Sequence, residues 1–380
     1  MRVLWWNNAF WPSIGGVEIL GRELLYGLKD RGLELAVVAH QDADGTLPAS
    51  ETHRGIPIAR FPFHAVLERG DPRQVGRLRR EVRAAARTFA PDLVHLHTLT
   101  PTAWFCGAAL GDGSARLLVT RHAFLEGESP PARNSLAIHL LRRADWIACC
   151  SRAVLEETHG VLPEIAARSS VILNGLPPPT VEPGPPPDPP VLLCLGRHVR
   201  QKGFDLALTA LAKIRSRFPR IRLVMAGDGP ERSRLEAQAH ATGIRESVDF
   251  TGWVPPGTVP ELIVASTLVL VPSRAGEGFC LAALQAGQAG RPVVAARVGG
   301  IPELVRDGET GILVEPGDPG ALGRAVMELL ERPETVSRMA VDARLWTKAR
   351  FGGDRYVEEY AQLYRQLVPA VRHQGARAST

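Results

Sequence analysis

A loop in the second half of the chain combines a carboxylate with the predicted start of a helix. Glu277 stands in this loop, Gly278 follows it, and the helix is predicted to begin near Phe279 and to end near Ala289. The first N–H groups of a helix have no partner within it and bind anions, above all phosphate. Such groups are expected here on Phe279, Cys280 and Leu281. A carboxylate beside an anion site is electrostatically unfavourable. Glu277 is therefore expected to hold a neutral part of the same ligand, such as sugar hydroxyls.

The predicted helix lies inside a βαβ unit. Apolar strands are predicted at 267–271 and 293–296, with a Gly-Arg-Pro turn at 290–292 between the helix and the second strand. The loop with Glu277 therefore begins where a strand ends, which is the edge at which α/β sheets bind ligands. Taken alone, the stretch also fits an ordinary βαβ unit without a ligand.

Two cations follow another predicted strand. Arg197 and Lys202 lie in the segment GRHVRQKG at 196–203, directly after a strand predicted at 191–195. A guanidinium and an ammonium just past a strand end are able to neutralise a leaving diphosphate. The alternative is a pair of surface cations.

The first half carries a glycine turn and two histidine candidates. A helix is predicted to start near Gly16, and Gly15 with Gly16 allows close approach of a diphosphate or a sugar. His122 lies just past a strand predicted at 116–120, and His97 ends the stretch 92–97. A lone histidine is more often structural, but the place after a strand end favours a ligand contact for His122.

No metal site is predicted. Asp42 and Asp44 superficially match the DxD motif of metal-dependent enzymes, but their polar loop favours a solvated turn. His95 and His97 share one face of a strand, and a metal would need further ligands that are not evident. No GxGxxG motif follows a strand, which argues against a nicotinamide enzyme.

Composition indicates a globular chain of two domains. A length of 380 residues exceeds what one core usually supports. The net charge of +5 suits an anionic donor, an anionic membrane surface or nucleic acid, and does not choose among them. Five cysteines without a CxxC motif suggest reduced thiols and a cytoplasmic location. The apolar start is too short for a signal-peptide core, and no apolar run approaches the roughly 20 residues of a membrane span.

The stretch 72–89 is predicted to be a basic amphipathic helix. Six arginines alternate with apolar residues at helical spacing. One interpretation is a solvated face above a core stripe. The other is a dock for an anionic membrane or an acidic acceptor, which would make the protein membrane-peripheral.

A proline-rich segment at 177–190 divides the chain, because it is unable to form a helix or an inner strand. Strands alternating with helices after it predict a parallel, doubly wound sheet. We expect a first domain at 1–176, a second at 191–350, a final helix at 351–370 and a disordered tail at 371–380.

These motifs together resemble a known family. EGF.L followed by A...G.PVVA..VGGIPELV, GR....KG, GDGPE, GG.E and the strand ending in His97 are similar to segments of the retaining GT-B glycosyltransferases of the group 1 (family 4) type. The resemblance covers nearly the whole chain and is most specific between 196 and 304. It implies two Rossmann-like domains facing a cleft, with the last helix crossing back onto the first domain.

The resemblance also implies a reaction and its residues. A sugar would move from a nucleotide sugar, best a UDP-sugar or else a GDP-sugar, to an unidentified acceptor with retention. Glu277, His122, Arg197 and Lys202 would act in catalysis, and His97 would lie near the acceptor. The remaining donor-binding positions would be Gly15, Gly16, Val254, Gly278, Phe279, Cys280, Leu281 and Gln285. No metal, cofactor or nucleic-acid partner is implied.

Two positions depart from the family pattern. Cys280 stands where the family usually has glycine, and Gln285 stands where it has a second glutamate that binds the ribose hydroxyls. Two alternatives to a transferase stay open: a nucleotide-sugar 2-epimerase, which shares the fold, and a protein that binds nucleotide sugars without turnover, which only the second departure favours.

Overall fold

The structure is a computed structural model that describes residues 1–42, 45–110, 115–125 and 135–369. Two α/β domains make up this part of the chain, each built on a largely parallel sheet. Asp44 and the predicted tail at 371–380 lie outside the described residues.

The first domain alternates strands with helices: β1 (Arg2–Trp6), α1 (Gly16–Asp30), β2 (Glu34–His40), β3 (Ser50–His53), β4 (Ile56–Phe61), α2 (Phe63–Arg69), α3 (Pro72–Phe89), β5 (Leu93–Leu96), α4 (Cys106–Ala109), β6 (Arg116–Arg121), α5 (Leu136–Arg143), β7 (Trp146–Cys149), α6 (Arg152–Val161) and β8 (Ser169–Val171). Their sheet has the order β3-β4-β2-β1-β5-β6-β7-β8, and β3 pairs antiparallel with β4. The inner strands are continuous apolar runs because helices cover both faces of the sheet.

The second domain repeats this rhythm: β9 (Val191–Leu195), α7 (Phe204–Ile214), β10 (Arg222–Ala226), α8 (Arg232–Ala241), β11 (Val248–Gly252), α9 (Val259–Val264), β12 (Leu268–Val271), α10 (Leu281–Gln288), β13 (Val293–Ala296), α11 (Ile301–Leu304), β14 (Gly311–Val314), α12 (Pro319–Leu330) and α13 (Pro333–Arg350). The order β11-β10-β9-β12-β13-β14 places β9 beside β12. The loops after these two strands therefore meet at one edge of the sheet, where the strand order reverses.

The last helix, α14 (Gly353–Leu367), returns to the first domain and packs on α1. Its Tyr364 hydroxyl lies 2.6 Å from Nδ1 of His95, and its Tyr360 hydroxyl lies 2.9 Å from Oγ1 of Thr120. The predicted crossing of the final helix onto the first domain is confirmed.

Helix α3 has the predicted bounds. Its start is set by Asp71, whose side chain accepts the N–H of Arg73 at 2.9 Å, and by Pro72 in the first turn. Leu78, Val82 and Ala86 form the buried stripe, whereas the arginines are exposed. This arrangement agrees with the interpretation of a solvated face over a core stripe, and a membrane contact stays a prediction.

The described helices include none whose length and hydropathy would carry it across a bilayer. All five cysteines are buried and carry free thiols.

Candidate active site

The carboxyl edges of the two sheets meet across a narrow cleft. A Cβ atom on Gly278 would lie 2.2 Å from the carbonyl oxygen of His122, so only glycine fits this contact. A Cβ atom on Gly16 would lie 3.0 Å from Cδ1 of Leu281. The glycine turn and His122 of the first domain therefore face the loop and helix start of the second.

A buried ion pair forms the centre of the second domain's edge. Oε1 of Glu277 accepts hydrogen bonds from Nζ of Lys202 at 2.5 Å and from Oγ of Ser273 at 2.8 Å. Only 5% of Glu277 is exposed, and a buried carboxylate needs such a counterion. The pair resolves the electrostatic objection to a carboxylate beside an anion site. The sequence motifs indicate both charged residues but not their contact, and Ser273 belongs to no motif.

Lys202 keeps its positive charge in this environment. Burial lowers the pKa of Lys202, but opposing interactions, among them the charge and the hydrogen bond of the Glu277 carboxylate, more than offset that effect and leave the pKa above its ordinary value. The ammonium is thus available to a diphosphate at neutral pH.

Helix α10 begins at Leu281, two residues later than predicted. Cys280 occupies the N-cap with extended backbone angles, because the chain turns at Gly278 to pass the carbonyl of His122. The N–H groups of Phe279, Cys280 and Leu281 nevertheless donate to no acceptor among the described residues. The three free donors that the sequence predicts are therefore retained.

Cys280 and Phe279 contribute differently to this loop. Burial raises the pKa of the Cys280 thiol to about 12, so the sulfur adds no charge near Lys202 at neutral pH. The Phe279 ring is half-buried and packs edge-on against Phe351, with 6.0 Å between centroids. The Phe279 side chain thus packs near the start of α14, while its backbone N–H has no acceptor among the described residues.

The side chains of two further predicted donor residues, Arg197 and Gln285, have no polar partner among the described residues. Arg197 is exposed, and its guanidinium makes no hydrogen bond or ion pair with the described residues. Gln285 is half-buried, lies one turn after Leu281 on the same face of α10, and its side chain has no hydrogen-bond partner in the described chain. Val254 is half-buried in the segment after β11.

Neutral imidazoles line the first domain's side of the cleft. Nε2 of the half-buried His122 lies 3.2 Å from Nδ1 of His97. His97 is fully buried, and its ring is tilted against that of Trp5 with 4.0 Å between the centroids. Burial lowers the pKa of His122 to about 4, and burial with His122 and His95 lowers the pKa of His97 well below its usual value. His122 thus covers His97, and an acceptor contact of His97 stays a prediction.

Stability is expected to decline as the pH falls below about 6.5. The unfolded chain protonates His122 near its ordinary pKa of 6.5, whereas the folded chain does so only near about 4. The free energy of unfolding is therefore unaffected by His122 above pH 6.5 and decreases as the pH falls towards about 4. Between pH 7.5 and 5.5 the expected decrease is about 1 kcal/mol. Urea unfolding of the native chain and His122→Asn at both pH values measures it. An equal loss of stability in both proteins would contradict the assignment.

One pair of hydrogen bonds between the domains is not indicated by the sequence. The Glu303 carboxylate of α11 accepts the N–H groups of Arg152 at 3.0 Å and of Ala153 at 3.2 Å, at the start of α6. An acidic group at a helix N-terminus is favourable. Glu303 lies within the family-like segment, but its partner is about 150 residues away in sequence and no local signal indicates it.

Comparisons with known proteins agree with this geometry. Residues 181–346 match the family described as Glycosyl transferases group 1, and residues 14–178 match Glycosyltransferase Family 4. A relative from Mycolicibacterium smegmatis, a GDP-mannose-dependent alpha-(1-6)-phosphatidylinositol monomannoside mannosyltransferase, is 33% identical over 373 residues, which cover 90% of this chain and 92% of the relative. The chain belongs to the group 1 glycosyl transferases.

A further relative and two solved structures are similar to this chain. The D-inositol 3-phosphate glycosyltransferase of Acidothermus cellulolyticus is 32% identical over 75% of this chain and 64% of its own length. The sucrose-phosphate synthase of Thermosynechococcus elongatus has a TM-score of 0.83 at 23% identity, covering 97% of this chain and 100% of that one. Anabaena HepE in complex with UDP has a TM-score of 0.77 at 23% identity, with 96% and 100% covered. The GT-B fold and the transfer of sugar from a nucleotide sugar are thus confirmed for this glycosyl transferase.

Proposed function

We propose that the chain is a retaining glycosyltransferase whose donor site lies at the start of α10. Lys202, Arg197 and the free N–H groups of 279–281 bind the donor diphosphate, and Glu277 binds the donor sugar. The observation that carries the proposal is the buried Glu277–Lys202 pair beside three unpartnered N–H groups.

The two oxygens of the Glu277 carboxylate have different partners. Oε1 of Glu277 already accepts two hydrogen bonds, while Oε2 has no partner among the described residues. Oε2 is therefore the acceptor for donor sugar hydroxyls. Lys202 contacts the carboxylate on one side and offers its remaining N–H groups to a phosphate oxygen.

Charge stabilisation is the main catalytic contribution in this proposal. The bond between the anomeric carbon and the diphosphate oxygen breaks, and the electron pair leaves with the diphosphate. The acceptor oxygen bonds to the same face of that carbon, and its proton passes to a phosphate oxygen of the donor. Preorganised cations and N–H groups stabilise the charge that develops on the leaving group.

The donor nucleotide has two candidates. The family resemblance favours a UDP-sugar as the donor. The 33% identical relative is named as GDP-mannose-dependent, which makes GDP-mannose the second candidate. Release of nucleoside diphosphate from UDP-glucose and GDP-mannose is measured with and without an acceptor panel. NMR of the product's anomeric carbon then reports retention.

The same assay separates the alternatives. A transferase forms a glycoside of higher mass with the α configuration of the donor. A changed sugar with no acceptor present would identify an epimerase instead. Binding of nucleotide sugar without any turnover would identify a non-catalytic protein.

Transfer is expected to need no divalent metal. Arg197 and Lys202 supply two positive charges to the diphosphate, which is the role that a metal ion has in metal-dependent transferases. Initial rates are measured before and after treatment with EDTA. Activity that disappears with EDTA and returns with magnesium or manganese would contradict this expectation.

Gln285 is expected to bind the donor ribose, less strongly than a glutamate would. Its amide has one acceptor oxygen and one NH2 group, whereas a carboxylate accepts from both ribose hydroxyls. Gln285→Glu is expected to tighten nucleotide binding by at most about tenfold, or about 1.4 kcal/mol. Gln285→Ala is expected to weaken it. Calorimetric titration of the three proteins is the measurement, and native affinity in Gln285→Ala would remove Gln285 from the ribose site.

We further propose that α3 contacts an anionic membrane surface. Its six arginines are exposed and only one glutamate, Glu81, lies among them. The guanidinium of Arg79 lies 4.9 Å from the ring centroid of Trp104, and 39% of Trp104 is exposed. A basic face bordered by an exposed indole is typical of interfacial binding. The lipid named as acceptor of the mycobacterial relative agrees with such a location.

Vesicle sedimentation tests this contact. The native chain is expected to bind vesicles of phosphatidylcholine with phosphatidylglycerol, and Arg79→Glu with Arg83→Glu is expected to abolish binding. Lys213→Glu with Arg338→Glu makes the same change of charge at exposed sites of the second domain and serves as the control. Equal binding of all three proteins, or no binding by the native chain, would overturn the proposal.

A further inference from the structure

Two loops at the edge of the second sheet carry the charged groups of the proposed donor site. We define the cation loop as residues 196–203, which follow β9 and contain Lys202. The carboxylate loop is residues 272–280, which follow β12 and contain Glu277. The placement of one loop against the other sets the distance between the Lys202 ammonium and the Glu277 carboxylate. Contacts that join the two loops therefore determine the geometry of the buried ion pair.

A second ion pair joins the carboxylate loop to the end of the cation loop. Nη1 of Arg274 donates to Oδ1 of Asp205 at 2.6 Å, and Nη2 donates to Oδ2 at 2.7 Å. Asp205 lies in the first turn of α7, where an acidic side chain is favourable. Arg274 stands three residues before Glu277, and Asp205 stands three residues after Lys202. Two ion pairs thus connect the same stretches of chain at neighbouring points.

Arg274 also binds the main chain of the cation loop. Its backbone N–H donates to the carbonyl oxygen of Gln201 at 2.8 Å, and its Nη1 lies 3.3 Å from the carbonyl oxygen of Arg200. A Cβ atom on Gly203 would lie 2.0 Å from the carbonyl oxygen of Pro272, so the two loops are in direct contact there. Both terminal nitrogens of the Arg274 guanidinium already donate to protein acceptors. Arg274 therefore acts on the loops rather than on a ligand.

The geometry of this pair matters more than its contribution to stability. Exposure of the side chains is 32% for Arg274 and 17% for Asp205, and partly exposed ion pairs contribute little to the free energy of unfolding. Two parallel hydrogen bonds between a guanidinium and a carboxylate nevertheless fix both distance and orientation. Burial raises the pKa of Asp205, but the hydrogen bonds and the charge of Arg274 more than offset that effect and lower the pKa below its ordinary value. The carboxylate is therefore ionised at neutral pH.

Donor binding makes such a ligand-independent contact important. In the proposed function, Lys202 donates both to Glu277 and to a phosphate oxygen. The phosphate competes with the carboxylate for one ammonium, so the ion pair alone holds the loops less firmly when the donor is bound. The contacts of Arg274 involve no ligand and remain. A displacement of about 1 Å in a positioned group costs on the order of a hundredfold in rate.

We propose that Arg274 and Asp205 are positioning residues of the donor site, whose ion pair holds Lys202 and Glu277 at the separation that transfer requires. This inference rests on the proposed function. It adds two residues that act through the donor-binding groups without contacting the donor themselves.

Substitutions at the pair test the proposal. Arg274→Met and Asp205→Asn are each expected to lower kcat at least about tenfold. The melting temperature is expected to stay within about 4 °C of the native value. Arg274→Lys keeps the charge without the two parallel bonds and is expected to recover only part of the loss. Turnover is measured as release of UDP from UDP-glucose or of GDP from GDP-mannose, with the acceptor panel present.

Another two-bond ion pair in the same domain supplies the matched control. Arg222 donates to the carboxylate of Asp249 at 2.9 and 2.5 Å, between the first residues of β10 and β11. These strand starts lie at the opposite edge of the sheet from the donor loops. Arg222→Met is therefore expected to keep the native kcat. An equal fall of kcat in Arg222→Met and Arg274→Met would overturn the proposal.

A double-mutant cycle distinguishes positioning from a general structural role. If Arg274 acts through Glu277, its substitution matters less once the carboxylate is absent. Arg274→Met is expected to lower kcat at least about tenfold in the native chain, but at most about threefold in Glu277→Ala. The same factor in both backgrounds would show that Arg274 acts independently of Glu277 and would overturn the inference. If Arg274→Met fails to fold, the same cycle with Arg274→Lys decides.

The outcomes separate this inference from the proposed function. Low turnover in Glu277→Ala, together with native turnover in Arg274→Met and Asp205→Asn, would overturn the inference and leave the donor site in place. Native turnover in Glu277→Ala would instead overturn the proposed donor site, and the positioning role with it.

Discussion

Replacing Glu277 with alanine is expected to lower turnover by at least about a hundredfold. Oε2 of this carboxylate is the proposed acceptor for donor sugar hydroxyls. Because such a contact strengthens in the transition state, its loss lowers kcat. A hundredfold corresponds to about 2.7 kcal/mol of activation free energy. The measurement is release of nucleoside diphosphate at saturating donor and acceptor.

Two controls accompany the Glu277 variant. Glu277→Gln keeps the shape and one acceptor oxygen, and is expected to retain more activity than Glu277→Ala. Glu309→Ala removes a surface carboxylate that pairs with Arg306, and is expected to leave turnover unchanged. Turnover near the native level in Glu277→Ala would remove Glu277 from the site.

The second large effect is expected from Lys202→Ala. The variant removes a charge-assisted contact to the diphosphate, worth about 1.5–3 kcal/mol. It also leaves the buried carboxylate of Glu277 without its counterion and close to the phosphate charge. Nucleotide affinity is therefore expected to fall more than in Arg197→Ala, which removes only an exposed guanidinium.

A second substitution tests whether the Glu277 carboxylate repels the diphosphate in Lys202→Ala. Adding Glu277→Gln to Lys202→Ala removes the uncompensated charge, and nucleotide affinity is expected to recover partly, although turnover stays low. Lys213→Ala, an exposed cation in the last turn of α7, serves as the matched control. If the double variant binds nucleotide no better than Lys202→Ala, the carboxylate does not lie near the diphosphate.

Much of the fold follows from local signals. Strands β9, β12 and β13 are apolar runs flanked by glycine and proline, and their predicted positions agree with the structure to within one residue. Helix α3 begins at Pro72 because an acidic cap precedes it, and this signal is readable in sequence. Local signals fail at the start of α10, where the packing of Gly278 on His122 delays the helix.

The contacts of the candidate site depend on strand order instead. Lys202 and Glu277 are 75 residues apart and meet because β9 lies beside β12. Tyr364 and His95 are 269 residues apart and meet because α14 crosses the domains. Motifs in the sequence indicate the candidate residues, but neither spacing nor periodicity indicates which of them are in contact.

The polar side chains that follow β1, β2 and β5, among them Asn7, His40 and Thr98, illustrate the same limit. Asparagine, threonine and histidine after strand ends are common in turns, so no single member is informative in sequence. Their shared contacts, and the unpartnered Nδ2 of Asn7, appear only when β1, β2 and β5 are placed side by side. Hairpin β3–β4 was likewise missed, because the polar edge strand Ser50–His53 lacks an apolar pattern.

The central claim is that a nucleoside diphosphate binds against Lys202 and Arg197 at the start of α10. Calorimetric titration of UDP and of GDP into the native chain and into Arg197→Ala with Lys202→Ala tests it most directly. The account predicts that the native chain binds at least one nucleotide and that the double variant, melting at the native temperature, loses at least about a hundredfold in affinity. Equal affinity in the two proteins, or no binding of either nucleotide by the native chain, would contradict it.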